Sequence, residues 1–270
     1  MTGAAFHAGM RYSVRQKGAP NQLPAATKAV ILAGGRGTRL APYTSVLPKP
    51  LMPIGDRSIL EIVVAQLASC GFTDVTFCVG YLSHLIRAVF DCRADEGVDI
   101  TYVQEETALG TAAPLRLVDG LDEPFILMNG DVLTTLDYAD LLRHHRASGN
   151  VLTVATRQRT IKIDYGVLYV DDDGDAHGRV RRWAEKPEVR SIVSMGIYAV
   201  EPVAMDHIPV DGYFDLPDLV QALLIAGERV GIYSYDGLWF DIGRQDDYQA
   251  AVAAWADTDP AQLGELRVVA

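Results

Sequence analysis

The sequence predicts an α/β fold with a mixed, mostly parallel central sheet. Apolar runs typical of buried strands alternate with segments of helical period through the first half of the chain, which indicates βαβ units. A glycine-rich loop follows the first of these runs directly. Because 49% of the 270 residues are apolar, the chain can form the buried core that such a fold needs.

The first half of the chain is predicted to contain alternating strands and helices, and one helix has clear capping residues. Residues 58–67 have helical spacing, with Ser58 as N-cap, Glu61 in the capping-box position and Gly71 at the end. The strands and helices predicted here alternate, as βαβ crossovers require. The strands are expected at Lys28–Ala33, Asp74–Val79, 98–103 and 125–128, and the helices at 58–67, around 84–90 and at 111–118.

The second half is less regular and predicts a more antiparallel region. A helix begins at Asp215 and runs toward residue 226, with Pro217 in the first turn, where proline is favoured. Three aspartates and a glycine at 171–174 indicate a hairpin turn. We also expect helices at 137–147 and Gln245–Ala256, and strands at 151–156, 166–170, 180–185, 195–200 and Val230–Ser234.

The domain boundaries follow from composition. No repeat or low-complexity linker interrupts the chain, so we predict one domain at 27–257 with two lobes. Residues 1–26 lack a clear period and are rich in Gly, Ala and Pro, which predicts a flexible N-terminal extension. Residues 258–270 are predicted to form a C-terminal tail.

Charge and cysteine content argue against several classes of protein. With 24 basic against 35 acidic residues, the net charge of −11 predicts neither a nucleic-acid nor a membrane partner. No apolar run approaches the ~18 residues of a membrane span, and the basic N-terminal residues lack the apolar stretch of a secretory signal. Cys70, Cys78 and Cys92 lack metal spacing, so we expect reduced thiols in a cytoplasmic protein. The six histidines also lack metal spacing and are expected at the surface or partly buried.

The glycine-rich loop is the strongest candidate for anion binding. Gly34, Gly35 and Gly37 allow backbone N–H groups to point at an anion, and Arg39 and Lys49 add positive side chains. Such a loop after a first strand suits a nucleoside triphosphate. The P-loop and the dinucleotide fingerprint do not fit, because the required lysine and third glycine are missing from their registers. On the glycines alone, an ordinary turn is the alternative.

Three candidate segments fall at the carboxyl ends of predicted strands. They are the glycine loop, residues 104–110 and the triplet Asn129, Gly130 and Asp131. Ligands of open α/β sheets bind at this edge, so the three segments predict one active site. Asp131 can hold Mg²⁺ there, with a simple strand-ending turn as the alternative. Asp241 lies between aromatic and apolar residues, where an unpaired charge is costly.

Residues 34–50 match, without a gap, the signature G-G-x-G-T-R-L-x-P-x-T-x-x-x-P-K-P of the sugar-1-phosphate nucleotidylyltransferases, also called NDP-sugar pyrophosphorylases. Further matches continue to about residue 248, and the pattern is most similar to the mannose-1-phosphate and heptose-1-phosphate guanylyltransferase branch. The resemblance implies a Rossmann-like three-layer sandwich with a smaller sugar-binding lobe. It also implies a nucleotide half at about 27–135 and a sugar-phosphate half at about 136–257.

The resemblance further implies that a nucleoside triphosphate is joined to a sugar 1-phosphate, with release of pyrophosphate. By this likeness, Arg39, Lys49 and Lys186 are catalytic. Asp131 and Asp241 match the two aspartates that coordinate the catalytic Mg²⁺. We expect a homo-oligomer, either a dimer or a tetramer. The nucleotide-binding residues implied are Leu32, Ala33, Gly34, Gly35, Gly37, Thr38, Glu105, Gly110, Thr111, Asn129 and Gly130.

The base-reading segment resembles that of the family but differs at one position. Uridylyl and thymidylyl relatives usually have glutamine five residues before the glycine, where this chain has Glu105 before Gly110. Guanine presents two adjacent donors, and one carboxylate can accept from both. The difference therefore favours GTP over UTP or dTTP. The alternative is that Glu105 and Glu106 form a solvated acidic turn.

The sugar-phosphate site rests on the resemblance alone. Glu185, Lys186 and Pro187 resemble the E-K-P motif that binds the sugar phosphate and hydroxyls, although this tripeptide by itself is most often an exposed turn. Gly166, in a Tyr-Gly-Val segment, lets a sugar approach the backbone. Ser194 stands where many relatives have asparagine, which leaves the sugar open and points to an unusual sugar or a cyclitol phosphate.

Three alternative functions stay open. A pyrophosphorylase of the same family would use UTP or dTTP with glucose 1-phosphate. A non-catalytic relative would bind a sugar nucleotide and regulate a partner, and the loss of a charged residue would have favoured it. A glycosyltransferase of similar architecture would show a D-x-D metal motif, whereas Asp131 is followed by Val132 and Leu133.

Overall fold

A seven-stranded sheet with helices on both faces forms the centre of the computed structural model, which describes residues 11–14, 27–91, 97–170, 178–256 and 266–269. The helices are α1 (Ile59–Ser69), α2 (Ser83–Phe90), α3 (Tyr138–Ser148), α4 (Leu216–Ile225) and α5 (Gln245–Ala256). The strands are β1 (Arg11–Val14), β2 (Lys28–Ala33), β3 (Pro53–Ile54), β4 (Arg57–Ser58), β5 (Asp74–Val79), β6 (Asp99–Gln104), β7 (Phe125–Asn129), β8 (Val132–Thr134), β9 (Leu152–Lys162), β10 (Val167–Val170), β11 (Val180–Ala184), β12 (Glu188–Val200), β13 (Val230–Ser234), β14 (Trp239–Asp241) and β15 (Leu266–Val269).

The strand order in the central sheet is β13-β9-β12-β7-β2-β5-β6. Strands β7, β2, β5 and β6 are all parallel. Strand β12 is antiparallel to both β7 and β9, and β13 is parallel to β9. The mixed, mostly parallel sheet predicted from the sequence is therefore confirmed, and its antiparallel pairs involve strands of the second half.

Both faces of the sheet are buried, as is usual for parallel strands. Val30 and Ile31 are neighbours in β2 and belong to opposite cores, because successive side chains of a strand alternate. The Ile31 side packs against α1, α2, α3 and α5. The Val30 side packs against α4 and the 3-10 turns Ala113–Leu117 and Pro202–His207. These layers make the three-layer sandwich that the family resemblance implies.

Hydrogen bonds at two helix starts confirm the predicted caps. At α1, the Glu61 N–H donates to Ser58 Oγ at 3.3 Å, and the Ser58 N–H donates to Glu61 Oε2 at 2.7 Å. At α4, the Asp215 N–H donates to Asp218 Oδ2 at 3.1 Å, and Pro217 lies in the first turn. These side chains satisfy backbone groups at the first turn, which explains where both helices begin.

The predicted helix at 111–118 is a shorter 3-10 turn at Ala113–Leu117. The N–H groups of Ala112 and Ala113 both donate to the Phe214 carbonyl, at 3.0 Å each. Pro114 has no N–H to donate. The start of this segment is therefore bound to a distant part of the chain, and only a short turn follows.

Strands β9 and β12 are longer than the apolar runs that predict them. They pair antiparallel from Lys162 opposite Glu188 to Thr156 opposite Ser194, beyond the predicted ends at 156 and 195. We call these two segments, 156–162 and 188–194, the β9–β12 ribbon. Most of its side chains are exposed or half-buried, so hydrophobic periodicity does not reveal it.

The ends of the described chain meet in a small sheet, in which β1 pairs antiparallel with β15. The other residues of 1–26 and 258–270 lie outside the described residues, as do Cys92 and the turn expected at 171–174, so those predictions stay predictions. Within the described ranges, no helix is both long and apolar enough to cross a membrane. The expectation for the histidines is wrong at His145, which is fully buried.

Candidate active site

A cleft of about 410 Å³ lies at the carboxyl ends of β2, β6 and β7, the edge at which open α/β sheets bind ligands. It brings together most of the nucleotide-binding residues that the sequence suggests. Of the residues predicted, the lining contains Leu32, Ala33, Gly34, Gly35, Gly37, Thr38, Arg39, Lys49, Glu105, Gly110, Thr111, Asn129 and Asp131. Four further lining residues were not predicted from the sequence: Pro50, Ala108, Tyr213 and Asp215.

The glycine loop is folded tightly onto the segment that carries Lys49. Gly37 has a left-handed backbone with φ of 60°, and its carbonyl accepts a hydrogen bond from Thr44 Oγ1 at 2.9 Å. A Cβ on Gly37 would lie 3.0 Å from Thr44 Cγ2 and 3.1 Å from Lys49 Cβ. Both the backbone angle and the lack of space favour glycine here, so the loop and Lys49 are positioned together.

Lys49 and Asp131 form an ion pair in the cleft lining, between Lys49 Nζ and Asp131 Oδ2. Gly130 helps to place Asp131, because its N–H donates to the Leu32 carbonyl at 2.9 Å and a Cβ there would be equally close to that oxygen. The other carboxylate oxygen, Asp131 Oδ1, is buried and has no hydrogen-bond partner within the described part of the chain. A buried polar atom of this kind calls for a partner such as an ion or water.

Asp241 approaches Asp131 through a small second sheet. Strand β14 pairs antiparallel with β8, and the Ile242 N–H donates to the Asp131 carbonyl at 3.1 Å. Burial and the negative charge of Asp131 raise the pKa of the Asp241 carboxyl. The positive charges of Lys49 and Arg39 act on that pKa in the opposite direction. The structure thus brings two cations and two carboxylates, far apart in sequence, within electrostatic reach of one another.

Asp131 and Asp241 form a donor set that fits Mg²⁺. This ion takes oxygen ligands and is commonly bound by one or two carboxylates together with substrate phosphates. The unpartnered Oδ1 of Asp131 is one such oxygen. The described residues contain no group of three or more His, Cys, Asp or Glu side chains suited to a metal. Phosphate oxygens would therefore complete a site built on these two carboxylates.

Glu105 faces the glycine loop from the end of β6. Its Oε1 would lie 2.6 Å from a Cβ on Gly34, and its Oε2 accepts from the Leu109 N–H at 3.4 Å. Burial raises the pKa of the Glu105 carboxyl, and the Leu109 N–H acts in the opposite direction. Glu106 is exposed and lies outside the described cleft lining, so the solvated-turn alternative fits Glu106 better than Glu105.

Tyr213 and Asp215 enter the cleft from the second half of the chain. The Tyr213 hydroxyl donates to Asp215 Oδ2 at 2.7 Å, and Asp215 Oδ1 accepts from the N–H and the hydroxyl of Thr111, both at 2.9 Å. Burial raises the pKa of Asp215, but the hydrogen bonds from Tyr213 and Thr111 outweigh it, so that pKa is lowered. From the sequence, Asp215 is predicted only as a helix start, and no local pattern links it to Thr111.

The predicted sugar-site residues lie in the second half, outside the described lining of the cleft. Gly166 lies against the Trp183 indole, which a Cβ would overlap, and Trp183 Nε1–H donates to Glu185 Oε2 at 3.2 Å. Lys186 is exposed, with a left-handed φ of 44°. Ser194 is on the β9–β12 ribbon, and its Oγ accepts the N–H two residues on at 3.1 Å. The structure thus joins Gly166 to Glu185 through Trp183 and leaves Lys186 and Ser194 apart from the cleft lining.

Comparison with known proteins identifies the family of this chain. The model of the nucleotidyl transferase family matches residues 28–258. Probable mannose-1-phosphate guanylyltransferase 1 of Oryza sativa subsp. japonica is 31% identical over 239 residues, covering 86% of this chain and 65% of that protein. UTP–glucose-1-phosphate uridylyltransferase of Synechocystis sp. is 32% identical over 245 residues, covering 83% of this chain and 62% of that protein. This chain therefore spans just under two thirds of the length of these curated relatives.

A solved structure shows the same fold. The crystal structure of HddC from Yersinia pseudotuberculosis superposes with a TM-score of 0.65 at 22% sequence identity. The match covers 85% of this chain and 99% of that chain. At 22% sequence identity, this similarity shows the fold alone.

Proposed function

Because the chain belongs to the nucleotidyl transferase family, we propose that it joins a nucleoside triphosphate to a sugar 1-phosphate, giving an NDP-sugar and pyrophosphate. The observation that carries this proposal is the meeting of Arg39, Lys49, Asp131 and Asp241 beside a glycine loop at one sheet edge. The relatives named as sugar-1-phosphate nucleotidyltransferases support it.

In the proposed reaction, a phosphate oxygen of the sugar 1-phosphate attacks the α-phosphorus in line with the departing pyrophosphate. The new P–O bond forms as the bond to the β-phosphate oxygen breaks. The nucleophile is already an anion near neutral pH, so no strong base has to remove a proton. The task of the protein is to hold two anions together and to stabilise the charge that spreads in the transition state.

The charged residues divide this task between the two reacting groups. Arg39 and the amides of the glycine loop bind the β- and γ-phosphates, and Lys49 contacts the α-phosphate. Lys186 binds the attacking phosphate; its left-handed backbone is the kind of local strain that clusters at functional sites. Asp131 and Asp241 would hold Mg²⁺, and this ion would supply positive charge that stabilises the phosphates.

The nucleotide proposed is GTP. Glu105 is half-buried beside the glycine loop, where its carboxylate can accept the two adjacent donors of guanine. The similarity to a mannose-1-phosphate guanylyltransferase supports this choice. The second candidate is UTP, which the similarity to the Synechocystis uridylyltransferase favours.

The acceptor proposed is a sugar or cyclitol 1-phosphate bound by the second half of the chain. Gly166 and Glu185 both lie next to Trp183, so these two predicted sugar-site residues are close together, but the Trp183 indole fills the space beside Gly166 that the sugar was expected to approach. Ser194 offers a shorter side chain than the asparagine of many relatives, so an acceptor other than the usual hexoses is a candidate. A homo-oligomer and a cytoplasmic location stay predictions from the sequence.

The test is pyrophosphate release with each of GTP, UTP and dTTP against a panel of sugar and cyclitol 1-phosphates in the presence of Mg²⁺. We expect release that requires both substrates and is greatest with GTP. Folded protein that binds a nucleotide but releases no pyrophosphate with any pair would favour the non-catalytic alternative. Release of free nucleoside diphosphate from an NDP-sugar, without pyrophosphate chemistry, would favour a glycosyltransferase.

A further inference from the structure

One wall of the cleft comes from the second half of the chain, at residues 213–215, which we call the 213–215 wall. Tyr213 is 64% exposed, yet it lines the cleft with Asp215. Its ring is therefore accessible to a molecule bound there. The roles proposed for the glycine loop, Asp131 and Asp241 do not involve the Tyr213 ring.

The Tyr213 side chain is anchored through its hydroxyl. That hydroxyl donates to Asp215 Oδ2 at 2.7 Å, while Asp215 Oδ1 accepts two hydrogen bonds from Thr111 at 2.9 Å. Thr111 Oγ1 in turn accepts from the Leu216 N–H at 2.8 Å. Both carboxylate oxygens of Asp215 are thus engaged, while most of Tyr213 stays exposed.

The 213–215 wall is also bound closely to residues 109–113, which follow Glu105. The Phe214 N–H donates to the Leu109 carbonyl at 2.9 Å, and the Phe214 carbonyl accepts from Ala112 at 3.0 Å. Gly110 has φ of 94°, and a Cβ there would lie 2.6 Å from the Phe214 carbonyl oxygen. The wall and the segment after Glu105 therefore form one tightly fitted unit.

We propose that Tyr213 stacks on the base of the bound nucleotide and that Asp215 is the positioning residue that holds its ring in place. The inference rests on the proposed function, since it assumes that a nucleotide occupies this cleft. Aromatic side chains bind bases through their π-faces, and the contact tolerates any base but is larger for a purine. A ring anchored at its hydroxyl loses little further freedom when a base stacks on it.

The experiment compares two ligands that share phosphates but differ in the base. Binding of GTP and of inorganic tripolyphosphate is titrated in Mg²⁺ by calorimetry, for the wild type and for variants checked by thermal unfolding. Tyr213→Ala should weaken GTP binding by roughly 5- to 100-fold and leave tripolyphosphate binding unchanged. Tyr213→Leu, which keeps apolar bulk without the ring, should resemble Tyr213→Ala.

Variants of the anchor separate positioning from simple structural support. Tyr213→Phe keeps the ring and Asp215→Asn removes the charge, so both should show a smaller loss that is again confined to GTP. Tyr102→Phe is the matched control, because its hydroxyl donates to Asp91 at 2.8 Å and both residues lie outside the described cleft lining. It should bind both ligands like the wild type.

The binding results can contradict the stacking role of Tyr213 without contradicting the proposed function. If Tyr213→Ala binds GTP as tightly as the wild type, the stacking role is wrong and the proposed function stands. If its affinity for GTP and tripolyphosphate falls equally, Tyr213 supports the fold only, which also overturns the inference. If the folded wild type binds neither ligand, both the proposed function and the stacking role of Tyr213 are wrong.

Discussion

Replacing Lys49 by alanine is the most direct test of the charge arrangement in the cleft. Only 10% of the Lys49 side chain is exposed, and its ammonium pairs with Asp131, which is 23% exposed. The variant removes this cation and leaves Asp131 Oδ2 without its partner, next to an Oδ1 that has none within the described residues. Catalysis and stability should therefore both respond, by amounts that can be separated.

The effect on catalysis should be the larger one. Loss of one preorganised donor at a developing negative charge costs about 3–4 kcal/mol, or roughly 10²–10³ in kcat. Breaking a fully buried ion pair costs about 3–5 kcal/mol of stability, but both partners here keep some exposure, so about 1–3 kcal/mol is expected. A protein of ordinary stability stays folded after such a loss.

The assay is pyrophosphate release at saturating Mg²⁺, with urea unfolding measured in parallel. Lys28→Ala is the matched control, because Lys28 pairs with Asp74 at 2.9 Å and has 13% of its side chain exposed, at the opposite end of β2. It should lose comparable stability and keep its activity. A folded Lys49→Ala variant that turns over near the wild-type rate would refute the proposed role, as would an equal loss of activity in Lys28→Ala.

Three further substitutions test other parts of the molecule. Glu105→Gln should shift the ratio of kcat/KM for GTP and UTP toward UTP, because an amide cannot accept two adjacent donors as a carboxylate does; an unchanged ratio would remove Glu105 from base recognition. Gly110→Ala should lower unfolding stability by about 1–3 kcal/mol in urea, since a φ of 94° is strained for alanine and its Cβ would meet the Phe214 carbonyl; Gly120→Ala, with φ of 70° but only an ordinary contact at 3.8 Å with the Lys28 side chain, should cost less. Burial lowers the pKa of His145 to about 4. Because the unfolded pKa is about 6.5, the neutral buried imidazole stabilises the fold fully above that pH, and this stabilisation is lost as the pH falls from 6.5 toward 4. His145→Gln should flatten that decline between pH 7 and pH 4.5, and a parallel decline would contradict this.

Local sequence patterns were sufficient for most of the first half of the fold, with the segment at 111–118 as the exception. The capping box at Ser58, the apolar run of β2 and the glycine loop each act within about a dozen residues, so each can be recognised without knowledge of the tertiary structure. The meeting of Asp131 and Asp241 was implied by the family resemblance, and the backbone pairing of β8 with β14 supplies its physical cause.

The missed features depend on contacts between distant residues. Thr111 and Asp215 are 104 positions apart, and nothing near either residue in the sequence indicates that they bond. The β9–β12 ribbon is held by backbone pairing, so its exposed side chains carry little periodic signal. His145 is buried by packing of α3 against the sheet, which a search for metal spacing does not address.

The charges of the cleft also predict how nucleotide binding depends on Mg²⁺. Its lining carries the cations Arg39 and Lys49 against the carboxylates of Glu105, Asp131 and Asp215, with Asp241 beside them. Because carboxylates outnumber cations in the cleft, the protein alone repels the negative charges of a nucleoside triphosphate. A bound divalent cation adds positive charge and makes the interaction attractive.

GTP binding measured by calorimetry should therefore be much weaker in EDTA than in Mg²⁺. Asp241→Asn should have effects of opposite sign in the two conditions, since it removes a metal ligand in Mg²⁺ but only a repulsive charge in EDTA. It should weaken GTP binding in Mg²⁺ and strengthen it in EDTA. Equal affinity of the wild type in both conditions would show that backbone amides and the two cations bind the phosphates without help from a metal, and it would remove Asp131 and Asp241 from the proposed metal site.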